Sequence, residues 1–438
     1  MANTDNNLTD STSEVNTYNM LQHIKQPLDV ESKVKKGRIY DVNDVEIKRG
    51  LCVYLMERER RLDDNLGIQF AMEIAEKYKL PFRVLYSAPD FRGPHGPKHD
   101  FFKKRILALR KAFVRQNFTF DTCHENAIKR YLKEIEASVV VMDFNPIKKK
   151  YIFRDETDFK IFEVDGHNII PARKITDKVI YDLSEFRKLV YKNIGEYLTE
   201  IDFPYHVDIT NDGLEVLEDF IANKLPQYAE FKDCPDKNVT SGLSRYMNLG
   251  LISSHRVALE VLKADVAPEN KEAFLDNLIV RKELADNLCL HTKYKYISTL
   301  PEWSYNTLRE HQHDQRSVIY STFELERAKT HDPLWNAIQN QLVSEGTIHD
   351  SLKLYWAKKV YEWKNSPYEG VKAIIFLNDK YAYDSPSPSG YAGILRAIGG
   401  LYCEPGVVDR PITGLINVVD DKKFKKSFDV KTYIKKYS

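Results

Sequence analysis

Three of the four tryptophans, Trp335, Trp356 and Trp363, fall in the one stretch His331–Ser366. The run Ser351–Trp363 puts Leu352, Leu354, Tyr355, Trp356, Val360 and Trp363 at helical spacing. Trp356 and Trp363 are then two turns apart, about 10 Å along one face. Trp335 belongs to a preceding helix that opens at Asp332 and Pro333. Such spacing has two readings. Aromatic side chains fill helical interiors. Closely set indoles can also relay an electron to a buried redox cofactor.

Other residues carry weaker signals. The turn Thr240-Ser241-Gly242-Leu243-Ser244 offers hydroxyls and free N–H groups at a helix entrance, which suits a pyrophosphate. The same residue types also serve as simple helix caps. His311, His313 and Asp314 sit together, but a metal needs three or four convergent ligands. A solvated helix start explains them better, so no metal is assigned. His167 reads as a satisfied histidine at a strand end. The basic run from His95 to Phe113 reads as a solvated helix face.

These residues need a scaffold, and the chain is long enough for two domains. Residues 1–36 are rich in Asn, Thr, Asp and Ser and read as a disordered tail. Over 48–173, the apolar runs GLCVYLM, PFRVLYSA, ASVVVMDF and FKIFEVD alternate with helical segments at Asp63–Tyr78, Lys98–Val114 and Ala127–Glu136. That pattern predicts a parallel sheet covered on both faces, a Rossmann-like α/β domain. No G-x-G-x-x-G follows the first strand, so a dinucleotide fingerprint is absent. Residues 174–225 read as a linker, and 226–436 as a second, all-helical domain.

Formal net charge is +1, so any binding to nucleic acid must come from a local basic face. Cys52, Cys123, Cys234, Cys289 and Cys403 are scattered with no C-x-x-C, which points to reduced thiols and an intracellular setting, nucleus or cytoplasm. No apolar run reaches the length of a membrane span. A monomer without membrane partners is expected.

The motifs carry a resemblance. KTHDPLWNA (Lys329–Ala337) and YWAKK (Tyr355–Lys359) resemble the signature blocks of class II cyclobutane-pyrimidine-dimer photolyases, within the photolyase/cryptochrome family. MERERRLDDN (Met56–Asn65) and EVDGHNIIP (Glu163–Pro171) resemble that family's first, antenna-type domain. Tyr228, TSGLS (Thr240–Ser244), RKELADN (Arg281–Asn287) and FLNDKY (Phe376–Tyr381) resemble its helical domain. The resemblance implies FAD held by Tyr228, Thr240, Ser241, Gly242, Leu243, Ser244, Lys282 and Asn287. It implies Asn378 near the flavin N5, and Asp384 paired with Lys353 where the family has arginine. A lysine keeps the charge but loses the planar fork. Trp335, Trp356 and Trp363 fall on the three positions that refill the flavin. The antenna chromophore is not implied.

The same alignment of motifs breaks at the lesion pocket, which must receive a flipped pyrimidine dimer of damaged DNA. Asn277 stands where a glutamate is common. Arg281 stands where some members have tryptophan. Arg396, in YAGILRA, replaces a lesion-stacking tryptophan. Lys232 replaces an arginine. LSRYMNLG replaces L-S-P-Y-x-H-F-G, and DSPSPSG replaces D-G-R-D-P-N-G. VVDRPITGLINVV keeps Arg410 and Gly414 but loses a tryptophan and a second arginine. The resemblance therefore implies a divergent member. Its expected function is light-driven, FAD-dependent repair of cyclobutane pyrimidine dimers, a carbon–carbon lyase if active. The alternative is a photolyase-like protein without repair, either a flavin-binding sensor or a flavin-free DNA- or protein-binding scaffold.

Overall fold

The fold is that of a computed structural model describing residues 19–88, 97–147, 153, 155–202, 212–417 and 424–438. The strands follow in chain order: β1 (Val30–Glu31), β2 (Ile39–Asp41), β3 (Leu51–Met56), β4 (Phe82–Ala88), β5 (Phe120–His124), β6 (Ala137–Asp143), β7 (Lys160–Val164) and β8 (Glu200–Ile201). Six form one sheet in the order β2-β7-β6-β3-β4-β5. Its neighbours run parallel from β7 to β5, and β2 lies antiparallel on the β7 edge. The pair β1–β8 stands apart and is parallel.

The sheet explains the unbroken apolar runs. Cys52, Tyr54 and Met56 pack with Val84, Tyr86, Val139 and Val141 on one face. Val53 and Leu55 pack with Leu85, Val140 and Met142 on the other. Both faces are covered, so the central strands read as near-continuous apolar runs. The architecture is α/β at the front and helical behind, as expected. Strands β5 and β2 were not expected. In β5 only Phe120 is buried, and β2 is short and mostly exposed, so neither reads as a continuous apolar run.

Two expectations change in extent. The tail expected over 1–36 lies outside the described residues up to 18. From Asn19 it is corrected: Met20 is fully buried, and the Met20 and Leu21 N–H groups donate to the Glu272 carboxylate (3.1 and 2.9 Å). A distant carboxylate supplies the order, so local composition did not reveal it. Within the segment expected as a linker, the helix Leu183–Tyr197 is capped by Asp182 and buries Phe186, Val190 and Ile194 in a core shared with the helix Ser254–Lys263. Residues 203–211 of that segment lie outside the described residues. No helix among the described residues is long and apolar enough to cross a membrane.

The sheet and the helices meet through buried polar groups. At the end of β6, Asp143 Oδ2 accepts the N–H groups of Glu57, Arg58 and Glu59 (2.9, 2.7 and 2.9 Å), while Oδ1 accepts the Tyr54 hydroxyl. The loop so folded sends Arg58 to Asp286, with both terminal nitrogens at 3.1 Å. Arg61 and His167 flank Glu59. From the helical side, Glu283 accepts the Ile169 N–H (2.6 Å). Gly250, at φ +71°, lies against the same loop. A Cβ there would sit 1.8 Å from the Arg58 carbonyl oxygen.

This junction buries two imidazoles. Burial, with Arg58 and Lys282 adding for His167, holds His167 and His255 down at about 4. Below about pH 6.5 an unfolded chain takes up those protons and the folded chain does not. Each imidazole therefore removes stability as pH falls from about 6.5 toward about 4, by about 1 kcal/mol per pH unit. Urea unfolding compared between about pH 7 and about pH 5 should show this loss, and His255→Gln should reduce it. An equally steep loss in that variant would contradict the assignment.

Candidate functional site

Asp332 positions the indoles. Its Oδ1 accepts the Leu334 and Trp335 N–H groups (2.9 and 3.1 Å), starting the helix Pro333–Glu345. Its other oxygen accepts the Tyr355 hydroxyl of the next helix, Asp350–Glu362. One carboxylate thus caps the helix of Trp335 and ties down the helix of Trp356. The two rings lie parallel, 4° apart in plane with centroids 6.4 Å apart. Trp335 then meets Trp363 edge-on at 5.6 Å. All three are buried. Trp335 Nε1 donates to the Trp356 carbonyl (3.0 Å), and Trp356 Nε1 donates to Gln339 Oε1 (2.9 Å). Trp363 touches Tyr320 and His331, and His331 is exposed. The spatial order is Trp356, Trp335, Trp363, with the ring from the earlier helix in the middle.

A polar set converges beside this array. Lys353 Nζ stands 3.9 Å from Asp384, which raises the lysine's pKa. His349 Nε2 donates to the Lys232 carbonyl (3.0 Å), tying Tyr228–Phe231 and the residue after it to the start of the Trp356 helix. Asn277 Nδ2 donates to the Tyr228 hydroxyl (3.0 Å). Asn248, in the short helix after TSGLS, donates to the Pro386 carbonyl (3.3 Å). Asn378 is buried, and its Nδ2 donates to Ser385 Oγ (2.8 Å). Segments around 228–248, 277, 349–353 and 378–386 are thus linked by direct contacts.

Several contacts had no sequence signal. Lys98, from the helix Pro97–Arg115 of the first domain, donates to the Asp379 carbonyl (2.7 Å), and burial pushes it down to about 8. Phe101 of that helix stacks on Tyr383 (5.2 Å) and meets Tyr246 edge-on. Arg245 lies over these rings, 5.3 Å from the Tyr246 centroid. The helix start expected to be a solvated face is therefore part of the junction, while Lys103, Lys104 and Lys111 remain exposed.

Two residues implied for the cofactor have side chains engaged elsewhere. Lys282 Nζ donates to the His167 carbonyl and Asn168 Oδ1 (3.3 and 3.1 Å). Asn287 accepts the Ile180 N–H and donates to the Lys178 carbonyl (both 2.9 Å). Both lie on the face of the helix Lys282–His291 that docks the first domain and the segment after it. Of the residues implied for the lesion, Arg281 faces Asp276 (3.5 Å). Arg396 lies near Lys358, which burial chiefly pushes down to about 8. Arg410 donates to the Val408 carbonyl in the turn closed by Gly414, and no contact among the described residues joins it to the convergent set. His311 is held between Asp314 and Asp409 (2.6 and 2.9 Å), and the Asp314 bond raises its pKa.

The remaining donors fit a flavin dinucleotide. Thr240 and Ser244 are exposed. Gly242 takes φ +69°, which turns the chain sharply into the helix. Ser241 Oγ is used locally, accepting the Leu243 N–H (3.3 Å). Asn378 Oδ1 accepts no hydrogen bond from the described residues.

Trp335→Phe removes the donor to the Trp356 carbonyl and leaves a cavity between two buried rings. A loss of about 2–3 kcal/mol is expected in urea unfolding. A loss below about 0.5 kcal/mol would show that the ring is not the packing centre described.

The comparisons with known proteins bear on the family and the fold. No protein-family model matches the sequence. A deoxyribodipyrimidine photo-lyase of Potorous tridactylus is 31% identical over 431 residues, covering 88% of this chain and 81% of that protein. One of Oryza sativa subsp. japonica is 32% identical over 440 residues, covering 88% and 87%. One of Methanothermobacter thermautotrophicus is 27% identical over 439 residues, covering 91% and 97%. Among solved structures, a Synechocystis sp. PCC6803 cryptochrome superposes with a TM-score of 0.68 at 13% identity, over 90% of this chain and 89% of that one. A class III photolyase of Agrobacterium tumefaciens gives 0.56 at 17% identity, over 89% and 99%. Relatives 31 and 32% identical along nearly the whole length of the chain, with the same α/β and helical fold in the solved structures, identify the chain as a member of the photolyase/cryptochrome family.

Proposed function

We propose that this chain is a class II photolyase that binds FAD and uses light to split cyclobutane pyrimidine dimers in DNA by electron transfer. The observation that carries the reading is the unbroken array Trp356–Trp335–Trp363, parallel at one step and edge-on at the next, ending beside exposed His331. When bound, FAD supplies the light absorption and the electron donation. The residues supply position and field. Thr240, Ser244 and the backbone around Gly242 would receive the phosphates. Lys353 and Asp384 would set the charge beside the ring system, and Asn378 would face it. Tyr228, Asn277, Arg281, Lys232 and Arg396 would line the approach of the flipped dimer, and Arg410 would bear on the DNA from its turn. The relatives named deoxyribodipyrimidine photo-lyase support the substrate class.

One set of residues favours a second reading, a flavin-binding sensor or regulator without repair. Arg281 and Arg396 put charge where an apolar wall would stack on the dimer. Asn277, standing where a glutamate is common, offers an amide whose NH2 is already engaged with the Tyr228 hydroxyl.

Purified protein reconstituted with FAD should show the near-UV and blue absorption of a flavin. If it takes up none, both readings fail. Under blue light with an external thiol, photoreduction of the bound flavin should proceed. In Trp335→Phe it should slow by at least about tenfold, since the middle of the array is broken. An unchanged rate would remove the relay. Illumination of a dimer-containing oligonucleotide then separates the readings: loss of dimers supports repair, and flavin photoreduction without repair supports the second. Arg396→Trp should tighten dimer binding by about tenfold through stacking; unchanged affinity would remove Arg396 from the pocket wall.

A further inference from the structure

Beside Asn378 lies a short chain of hydrogen bonds whose direction is fixed by chemistry. Asp379 Oδ1 is 2.5 Å from Ser385 Oγ, and Ser385 Oγ is 2.8 Å from Asn378 Nδ2. The other carboxylate oxygen, Oδ2, accepts the Tyr391 hydroxyl (2.9 Å). An ionised carboxylate only accepts, and a hydroxyl has one proton to give. Tyr391 donates to that carboxylate, and Lys98 places its ammonium on the Asp379 main chain (2.7 Å). The Ser385 proton is therefore committed to Asp379, and only the Ser385 lone pairs remain for Asn378. The amide must present its NH2 to Ser385, which turns its carbonyl oxygen the other way. That oxygen meets no donor among the described residues.

We infer that Ser385 is a positioning residue: through its bond to Asp379 it fixes the Asn378 amide with the carbonyl oxygen toward the flavin. The inference rests on the flavin reading above for the identity of what Asn378 faces. A reduced flavin carries a proton on N5 and can donate to that oxygen. Oxidised N5 carries a lone pair and is repelled by it. The fixed amide therefore favours the reduced ring. Position 385 is glycine in the D-G-R-D-P-N-G loop that DSPSPSG replaces, so the hydroxyl belongs to this chain's own version of the loop. Without it only a long contact from Nδ2 to Asp379 Oδ1 (3.5 Å) holds the NH2 end, and the amide is freer to rotate.

Two measurements on the full chain test this. The first uses the protein without flavin. The Asn378 side-chain amide signal, assigned by its loss in Asn378→Asp, is followed by nitrogen-15 NMR. Its proton exchange should be about tenfold faster in Ser385→Ala, and Ser385→Thr should restore slow exchange. Equal exchange in wild type and Ser385→Ala overturns the inference, whatever the flavin does. The second uses FAD-loaded protein. Ser385→Ala and Ser385→Gly should favour the reduced flavin about tenfold less, read as a midpoint potential about 30 mV lower, with Ser385→Thr returning to the wild-type value. Slow exchange restored by Thr with identical potentials in all variants overturns the flavin-facing orientation. A chain that takes up no FAD fails the flavin reading, and the exchange measurement still decides what Ser385 holds.

Discussion

The Asp143 carboxylate is the constraint on which the two halves depend. Burying a charge without compensation is costly. Burial raises its pKa, with the Glu59 charge adding to the rise. Compensation comes from three consecutive N–H groups and one phenol, all from the first strand and the loop after it. Those bonds dictate the loop's path, and the path aims Arg58 at Asp286. The contact between sheet and helices thus begins as the hydrogen-bond requirement of one side chain at a strand end.

The same device recurs. Asp332 caps one tryptophan's helix and holds the next through Tyr355. Asp379 receives Ser385 and Tyr391 and is steadied by Lys98. In each case a carboxylate near the end of an element gathers donors from more than one segment. Charge-assisted hydrogen bonds are short and directional, so these points set angles as well as distances. The parallel rings of Trp335 and Trp356 are one result.

Much of this was legible in the sequence, and the rest was not for identifiable reasons. The strands of the parallel core were readable because both faces are buried. The helix start at Asp332 was readable because capping is local chemistry. The grouping of Trp335, Trp356 and Trp363 was readable from motif, but the order of the rings was not, since it depends on how two helices cross. Lys282 and Asn287 sit in a recognisable motif yet face the first domain, because a motif does not say which side of a helix is turned to which neighbour. Lys98 was read as part of a solvated face because its partner is a main-chain carbonyl far along the chain. Met20 was placed in a tail because Glu272, which orders it, is equally remote.

The contact at Gly250 has a consequence for how such a chain can change. Main chain of the first domain lies where any side chain at 250 would have to be. The helical half therefore has no finished surface of its own there; the loop after β3 completes it. The interior of the α/β half can drift, but the half itself cannot be discarded. The front domain is retained as a wall of the room behind it.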